Sequence, residues 1–506
     1  MSSTKKFKFP TAFTILFIIL IIAVGLTWIV PAGSYSKLTY NSTTQQFVVK
    51  SHQQEDQFLP ATQESLEQLN VKIKLTNFLE GKIRKPIAIP GTYRQVEQQP
   101  KTLKDITLSM VNGTIEAADV MVFIFVLGGM IGVINRTGSF NAGLTALAKR
   151  TKGNEFLIVF SVSVLMLIGG TTCGIEEEAV AFYPILVPVF IALGYDAIVC
   201  VGAIFLASSM GTAFSTINPF SVVIASNAAG IQFTEGISFR ILGLILGGIS
   251  VITYLYWYSK KVKADPTFSY CYEEREEFEQ HYLSFHQGDN NELEFNTKRK
   301  IILTLFCLAF IIMVWGVMFG GWWFPQMASS FLAITIIIMF LSRLSEDEVL
   351  NAFTTGAADL VAVSLIIGLA RGVNLVLDEG MISDTILNYA SNLVAGMPPT
   401  IFILAQLVVF IFLGLFVPSS SGLAVLSMPI MAPLADAVGI PRDIVVSAYN
   451  WGQYAMLFLA PTGLVLVTLQ MLHIPFNKWV RFVMPMIGML LLIGSILLVV
   501  QVSLYA

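Results

Sequence analysis

Two short polar stretches interrupt apolar sequence and carry the residue types that could do chemistry. The first is Gly169-Gly170-Thr171-Thr172-Cys173-Gly174-Ile175-Glu176-Glu177-Glu178, and the second is Pro418-Ser419-Ser420-Ser421-Gly422. A carboxylate at the bilayer centre costs roughly 2.5–3.5 kcal/mol on insertion scales, so three exposed to lipid would cost on the order of 7–10 kcal/mol. Glu176, Glu177 and Glu178 must therefore face water, find partners or stay protonated. Three readings fit them. They sit in an aqueous loop, or they complement the positive N-terminal end of the next helix, or they form a pocket wall that selects a cationic group or carries a coupling proton. Helical spacing keeps all three from facing one cavity, and Glu177 and Glu178, which begin the second half-helix, are the ones expected to face it. Ser419, Ser420 and Ser421 offer hydroxyls and free N–H groups at a helix start, which suits N-capping or an anionic group. Together the tips would hold a zwitterion, its cationic end near the glutamates and its carboxylate near the serines.

Two further apolar helices are interrupted by polar residues. One contains Ser208-Ser209-Met210-Gly211-Thr212 and Ser215-Thr216-Ile217-Asn218-Pro219. The other contains Asn450-Trp451-Gly452-Gln453-Tyr454 and Ala460-Pro461-Thr462-Gly463. Unwound backbone and half-helix ends bind ions and polar ligands, which makes Ser208, Thr212, Asn218, Asn450, Gln453 and Thr462 substrate-binding candidates. Small and hydroxyl residues also let membrane helices pack closely. Asp359 and Arg371 lie in one apolar span, too far apart for a helical pair. Arg371 either pairs with Asp378 or faces the cavity.

The elements that must position these residues are written twice. A hairpin at 156–193, a Gly194-Tyr195-Asp196 turn and a broken helix at 197–230 are followed, later, by a hairpin at 401–438, a Gly439-Ile440-Pro441 turn and a broken helix at 442–472. Pro184, Pro188 and Gly194 recur 245 residues on as Pro429, Pro433 and Gly439. At the same offset Ser421 stands opposite Glu176. Paired interrupted segments of this kind point to a transporter binding site. The 156–170 arm makes a helix of about 22 Å against a hydrocarbon core of about 30 Å, so the hairpins are expected to be re-entrant.

Composition sets the class. The chain has 506 residues, 55% hydrophobic and 12% charged, against about 25% charged in soluble domains. Many apolar runs approach the ~20 residues that cross a bilayer. The fold class is an all-α polytopic membrane protein. The net charge of −3 gives no sign of nucleic-acid binding. The four cysteines have no paired spacing, so neither a disulfide framework nor a zinc site is suggested. All four histidines (His52, His281, His286, His473) lie outside the tips. With no metal spacing and no nucleophile–base constellation, an enzyme is not expected.

Charge placement gives a topology. Lys5, Lys6 and Lys8 put the N-terminus in the cytoplasm, followed by a transmembrane helix within 1–31. That first apolar run is too long for a cleavable signal peptide. Residues 32–103 form an extracytoplasmic segment, read as a small cap or partly disordered loop. Residues 104–260 form transport repeat 1, opening with one span at 103–135 and an amphipathic piece ending in Lys149-Arg150-Thr151-Lys152. A cytoplasmic linker occupies 261–300, two transmembrane helices 301–343 with Trp322 and Trp323 in an interfacial belt, and repeat 2 residues 344–506. Repeat 2 opens with one span at 349–377, and the C-terminus is external. The first hairpin is entered from inside and the second from outside, so the repeats are inverted.

Several of these stretches resemble a known family. They are Gly128-Gly129-Met130-Ile131-Gly132 with Arg136-Thr137-Gly138, Glu177-Glu178-Ala179-Val180-Ala181-Phe182, Leu193-Gly194-Tyr195-Asp196, Asn218-Pro219-Phe220-Ser221-Val222-Val223 and Met428-Pro429-Ile430-Met431-Ala432-Pro433-Leu434. Over nearly the whole chain they look like the YfcC family, within the C4-dicarboxylate anaerobic carrier (DcuC-like) group of the ion-transporter superfamily. The resemblance implies inverted repeats with two re-entrant hairpins and two broken helices, often in homodimers, and secondary transport across a bacterial inner membrane. It also implies an acidic hairpin tip, matched by Glu177 and Glu178, and an Asn-Pro break, matched by Asn218 and Pro219. Where many such sequences have Gly-Asp-Gly, this chain has Gly452-Gln453-Tyr454, followed by Ala460-Pro461-Thr462-Gly463-Leu464. That looks more like the arginine/ornithine exchanger branch.

The expectation is a multi-pass secondary active transporter of a small charged metabolite, foremost an amino acid exchanged as arginine is for ornithine. A C4-dicarboxylate carrier is the rival within transport, and a channel or membrane receptor the rival outside it. No cofactor is expected, and the coupling ion is H+ or Na+. The partners are a small-molecule substrate, the lipid bilayer and a second copy of the chain.

Overall fold

The computed structural model describes residues 12–505, apart from 72, 80–82, 84, 85, 141, 144, 145, 147–153, 177, 277, 279–293, 321, 323 and 462. Lys5, Lys6, Lys8, the Lys149-Arg150-Thr151-Lys152 run, Glu177, His281, His286, Trp323 and Thr462 lie outside the described residues, as does the side chain of Glu178.

The chain is mostly helical, but it is not all-α. After the apolar helix α1 (Ala12–Ile29), the 32–103 segment folds as a β-rich domain. Strands β1 (Gly33–Ser34), β2 (Lys37–Asn41), β3 (Gln46–Lys50), β4 (Gln57–Pro60), β5 (Ile87–Ala88) and β6 (Arg94–Gln95) make a four-stranded antiparallel sheet ordered β4-β3-β2-β5 and a separate β1-β6 pair. Short helices α2 (Gln63–Gln68) and α3 (Leu75–Leu79) cover the larger sheet. Leu38 pairs with Val49 and Tyr40 with Phe47. Leu38, Phe47, Leu66, Phe78 and Ile87 form its core, with the Phe78 ring edge-on to Phe47 at 5.1 Å. The Phe47–Val49 run in β3 drives this core, and the surrounding Gln and Lys residues mask it in the sequence.

The helices follow in order. They are α4 (Leu103–Glu116), α5 (Ala118–Arg136), α6 (Phe156–Cys173), a 3₁₀ turn (Glu178–Phe182), α7 (Tyr183–Ala192), α8 (Ala197–Ala213), α9 (Pro219–Ala229), α10 (Ile237–Ala264), α11 (Thr297–Gly320) and α12 (Phe324–Ser342). Then come α13 (Glu346–Ala358), α14 (Val361–Glu379), α15 (Ser383–Val394), α16 (Pro399–Phe416), α17 (Ser420–Val438), α18 (Arg442–Leu457), α19 (Leu464–Met471) and α20 (Phe476–Tyr505). Among the described residues, α5, α10, α12, α16 and α20 are long and apolar enough to cross a membrane. The expected single spans at 103–135 and 349–377 are each two helices, broken at Ala117 and at Asp359-Leu360. Arm α6 runs to Cys173, about 27 Å long, because Gly169 and Gly170 continue the helix. Its length alone therefore does not separate a re-entrant from a spanning arm.

Glycines set the packing of the broken pairs. Helix α4 lies on α14 and α5 on α13. A Cβ added at Gly113 would sit 2.4 Å from the Gly368 carbonyl, and one at Gly128 2.4 Å from the Gly356 carbonyl. Contacts that climb from 113 to 132 on one pair descend from 372 to 352 on the other, so the pairs run antiparallel.

The apolar interior divides into two main clusters. One joins the hairpins, the broken helices, α10 and α20. The other joins α5, α11, α12 and parts of α13 and α14. Four ion pairs, Lys101–Glu379 at 2.9 Å, Arg136–Glu348 at 2.8 Å, Lys263–Glu155 at 3.1 Å and Lys478–Glu274 at 2.6 Å, each join residues that charge placement assigns to one membrane face.

Candidate functional site

Both hairpins are held against their own broken helix by close backbone approach. In the first, a Cβ at Gly170 would lie 2.0 Å from the Ser208 carbonyl, and one at Gly211 2.2 Å from that of Leu167. In the second, a Cβ at Gly452 would lie 2.4 Å from the Leu407 carbonyl. These contacts bring α6 onto α8 and α16 onto α18, and so bring each tip beside a helix break.

Polar side chains of the broken helices then fix the tips. The Asn218 amide donates to the Gly170 carbonyl at 2.9 Å, and its oxygen accepts from the Phe220 N–H at 2.8 Å. Thr212 donates to the Gly170 and Ser208 carbonyls at 3.2 and 3.1 Å. Ser208 donates to the Ile175 carbonyl. Gly174 takes a left-handed φ of +68° to turn the chain out of α6. On the second side, Gln453 donates to the Val417 carbonyl at 3.3 Å, and Tyr449 to the Ser420 carbonyl at 2.5 Å. Asn450 donates across to Ser215 at 2.8 Å, tying the two broken helices together. Ser208, Thr212, Asn218 and Gln453 are thus buried residues that bond carbonyls of the tips, and Asn450 is a buried link between the broken helices.

The tips meet at a cavity of about 210 Å³. Glu176 lines it from the first tip and Ser419, Ser420 and Ser421 from the second. Ser419 is the N-cap of α17 and accepts the Gly422 N–H at 3.2 Å. The Tyr454 hydroxyl hydrogen-bonds both Glu176 and Ser420, linking the tips directly. The apolar walls come from both clusters, Phe205 and Leu464 on one side and Phe324, Met327 and Ile367 on the other. The cavity therefore lies where the two apolar clusters meet. None of Ser208, Thr212, Asn218, Asn450 or Gln453 lines it.

Two further polar residues line the cavity from α14: Arg371 and Asn374. The sequence leaves Arg371 open between Asp378 and the cavity. Asp378 instead accepts the Ser383 hydroxyl at 2.8 Å. Asn374 went unmarked in the sequence, and its only signal is a polar residue one turn from an arginine in an apolar helix. A lipid-facing arginine at membrane depth would cost roughly 2.5–3.5 kcal/mol on insertion scales, which a polar cavity avoids.

One acidic residue, Glu176, and one basic residue, Arg371, thus line a single cavity of metabolite size among the described residues. The cavity falls below the roughly 300–1,000 Å³ of sites for drug-sized ligands. Among the described residues, no group of three or more His, Cys, Asp or Glu side chains could hold a metal ion. The carboxamide oxygens of Asn450 and Gln453 are buried without a hydrogen-bond partner.

Residues 9–503 match the sequence model of a family described as C4-dicarboxylate anaerobic carrier. A Haemophilus influenzae protein described as uncharacterized is 77% identical over 502 residues, covering 99% of this chain and 98% of its own. Escherichia coli YfcC, provisionally named a basic amino acid antiporter, is 29% identical over 513 residues, covering 98% and 97%. Among solved structures, the YdaH transporter of Alcanivorax borkumensis is similar at a TM-score of 0.40 and 14% identity, covering 98% and 99%. MtrF of Neisseria gonorrhoeae, from a class of antimetabolite efflux pumps, is similar at 0.39 and 15%, covering 98% and 96%.

Proposed function

The chain belongs to the C4-dicarboxylate anaerobic carrier family, and on that footing we propose that it is a secondary active transporter which exchanges amino acids, basic ones foremost, through the cavity between the two hairpin tips. The observation that carries this reading is that Glu176 and the Ser419–Ser421 tip line one cavity. A carboxylate wall selects a cationic group, and a helix start with hydroxyls suits a carboxylate. A C4-dicarboxylate would bring a second negative charge against Glu176. The provisional name of Escherichia coli YfcC points the same way.

The two halves are inverted repeats. Support comes from the antiparallel glycine contacts, in which Gly113 meets Gly372 and Gly128 meets Gly356. Gly356 lies 243 residues after Gly113, and Gly372 lies 244 after Gly128. Exchanging the two halves therefore turns one contact into the other to within a residue. That is the self-complementary pattern of an approximate two-fold. The N-terminus is cytoplasmic and the C-terminus external, in a bacterial inner membrane. For a coupling Na+, the bare oxygens of Asn450 and Gln453 are donors of the right kind, while Glu176 would serve a coupling proton.

The test is counterflow into proteoliposomes preloaded with unlabelled arginine, ornithine or succinate, with labelled substrate outside. Accumulation driven by arginine or ornithine, and not by succinate, is expected. Accumulation driven by succinate alone would overturn the amino-acid reading.

A further inference from the structure

Arg371 and Asn374 line the cavity from α14, outside both hairpins and both broken helices. They stand one turn apart, at i and i+3, on the same face of α14. Arg371 is half-buried and lines the cavity. Among the described residues it makes no ion pair and no hydrogen bond. Of the two acids at the end of its own helix, Asp378 accepts the Ser383 hydroxyl and Glu379 pairs with Lys101. The Asn374 carboxamide oxygen is buried with no hydrogen-bond partner. A structural arginine in an apolar helix is held by a carboxylate or by carbonyls. Among the described residues this one is held by neither, and it lines the cavity.

We propose that Arg371 and Asn374 form a carboxylate-recognition site for the transported substrate, on the wall of the cavity that α14 supplies. The proposal rests on the transport reading above and amends it at one point, moving the anionic end from the serine tip to residues outside both hairpins. The planar guanidinium matches a carboxylate with two parallel N–H donors. Asn374 adds an amide donor beside it, as its nitrogen and oxygen exchange by a half-turn of the side chain. Glu176 lines the same cavity with the opposite charge. The ligand class is therefore an α-amino acid, bound by its carboxylate at α14 and by its cationic group at the first tip. A simple diamine meets an unmatched guanidinium, and a dicarboxylate meets an unmatched glutamate.

The experiment compares arginine with agmatine, which keeps the guanidino side chain and lacks the carboxylate. Wild-type protein in proteoliposomes should exchange arginine and discriminate against agmatine. Arg371→Gln should weaken arginine exchange by about 30-fold or more, read mainly in KM, and should erase most of the preference over agmatine. Arg371→Lys, which keeps the charge without the fork, should recover part of the loss. Asn374→Ala should weaken arginine by about 3- to 10-fold. Should wild-type protein exchange succinate in place of arginine, loss of succinate exchange in Arg371→Gln would keep the carboxylate site and remove the amino-acid reading. A KM for the transported carboxylate within twofold of wild type in Arg371→Gln would overturn the site. Because that variant could misfold, phenylglyoxal labelling of wild-type protein gives a second reading. The transported carboxylate, ornithine or succinate, neither of which carries a guanidinium to consume the reagent, should protect Arg371 from modification, scored by peptide mass, and unchanged labelling would also overturn the proposal.

Discussion

The two hairpin tips solve one packing problem with different chemistry. Each first arm lies on its broken helix through glycines that let backbone meet backbone, Gly170 and Gly211 in one repeat and Gly452 in the other. Beyond that shared frame they diverge. The first tip leaves α6 through a left-handed glycine and an irregular stretch, then a 3₁₀ turn before α7. It needs Ser208, Thr212 and Asn218 to hold its carbonyls. The second tip passes from Val417 through Pro418 straight into α17, capped by its own Ser419. The helix start of the second tip caps its own N–H through Ser419, and Gln453 and Tyr449 of its broken helix bond the Val417 and Ser420 carbonyls. The first tip presents its carboxylate away from a helix end, and its carbonyls are held by three side chains of its broken helix.

The sharpest way to break this comparison is to remove charge from one tip and a hydroxyl from the other. Glu176→Gln should lower arginine exchange by about 30-fold or more, because a charge-assisted contact is worth about 2–5 kcal/mol when one partner is truncated. Ser420→Ala should lower it by only about 3- to 10-fold, the range of a neutral hydrogen bond. Equal losses in the two variants, measured as KM and turnover in proteoliposomes, would mean that the tips do equivalent work.

The shared frame predicts similar damage on both sides. Gly211→Val and Gly452→Val each force a side chain against a carbonyl, 2.2 Å from Leu167 and 2.4 Å from Leu407 at Cβ. Overpacking of this kind costs about 1–3 kcal/mol or more. Both variants should lose melting temperature in detergent by comparable amounts. A loss confined to one repeat would show that the frames are not equivalent.

The frame was the part most legible in sequence. Pro184, Pro188 and Gly194 against Pro429, Pro433 and Gly439 mark the ends of the hairpins, and α7 and α17 end just before those glycines. Less legible were features that depend on partners far along the chain. The β-rich domain hides because its strands are two to five residues long among Gln and Lys, and its core also draws on Val425 in α17. The breaks at Ala117 and Asp359 went unread because no proline marks them, although Glu116 and Asp359 sit where a continuous apolar span should carry no acid. At the site, the sequence favoured Glu177 and Glu178, of which Glu177 and the Glu178 side chain lie outside the described residues, while Glu176 lines the cavity with the serines. Ser208, Thr212, Asn218, Asn450 and Gln453, candidates for binding, also make buried hydrogen bonds within the fold. Single-sequence reasoning sees that a buried polar residue needs a partner. It does not see whether that partner is a ligand or a carbonyl of the neighbouring arm.

That distinction gives a smaller test. Asn218→Ala strips the Gly170 carbonyl of one donor and frees the Phe220 N–H, with an expected cost of about 1–3 kcal/mol. Gln453→Ala removes one bond of 3.3 Å to Val417 and also a bare buried oxygen, so its cost should be lower. Thermal melts of the two variants should rank in that order. The reverse ranking would place the heavier structural load on the second tip.

The smallest expected effect lies in the turns that follow the hairpins. Repeat 2 enters its broken helix through Pro441 at the N-cap, while repeat 1 uses Asp196, whose carboxylate accepts the Val199 N–H at 2.9 Å. Asp196 also accepts the Tyr258 hydroxyl at 3.0 Å and the Ser269 hydroxyl at 2.5 Å, which fastens the start of the 261–300 linker to the turn. Burial pushes the Asp196 carboxyl above its ordinary value, and the bonds from Ser269, Val199 and Tyr258 pull part of the way back. The folded chain therefore binds this proton more readily than the unfolded chain. Its contribution to stability falls as pH rises from the unfolded carboxyl value, near 3.8, through the raised folded one. Asp196→Asn keeps an N-capping oxygen and removes the buried charge. Near neutral pH the variant should melt within about 1–2 °C of wild type or slightly above it, and the gap should close toward pH 4. A gap that widened on acidification would mean that the ionised carboxylate is a net stabiliser of the turn, and that Asp196 holds the linker mainly by charge.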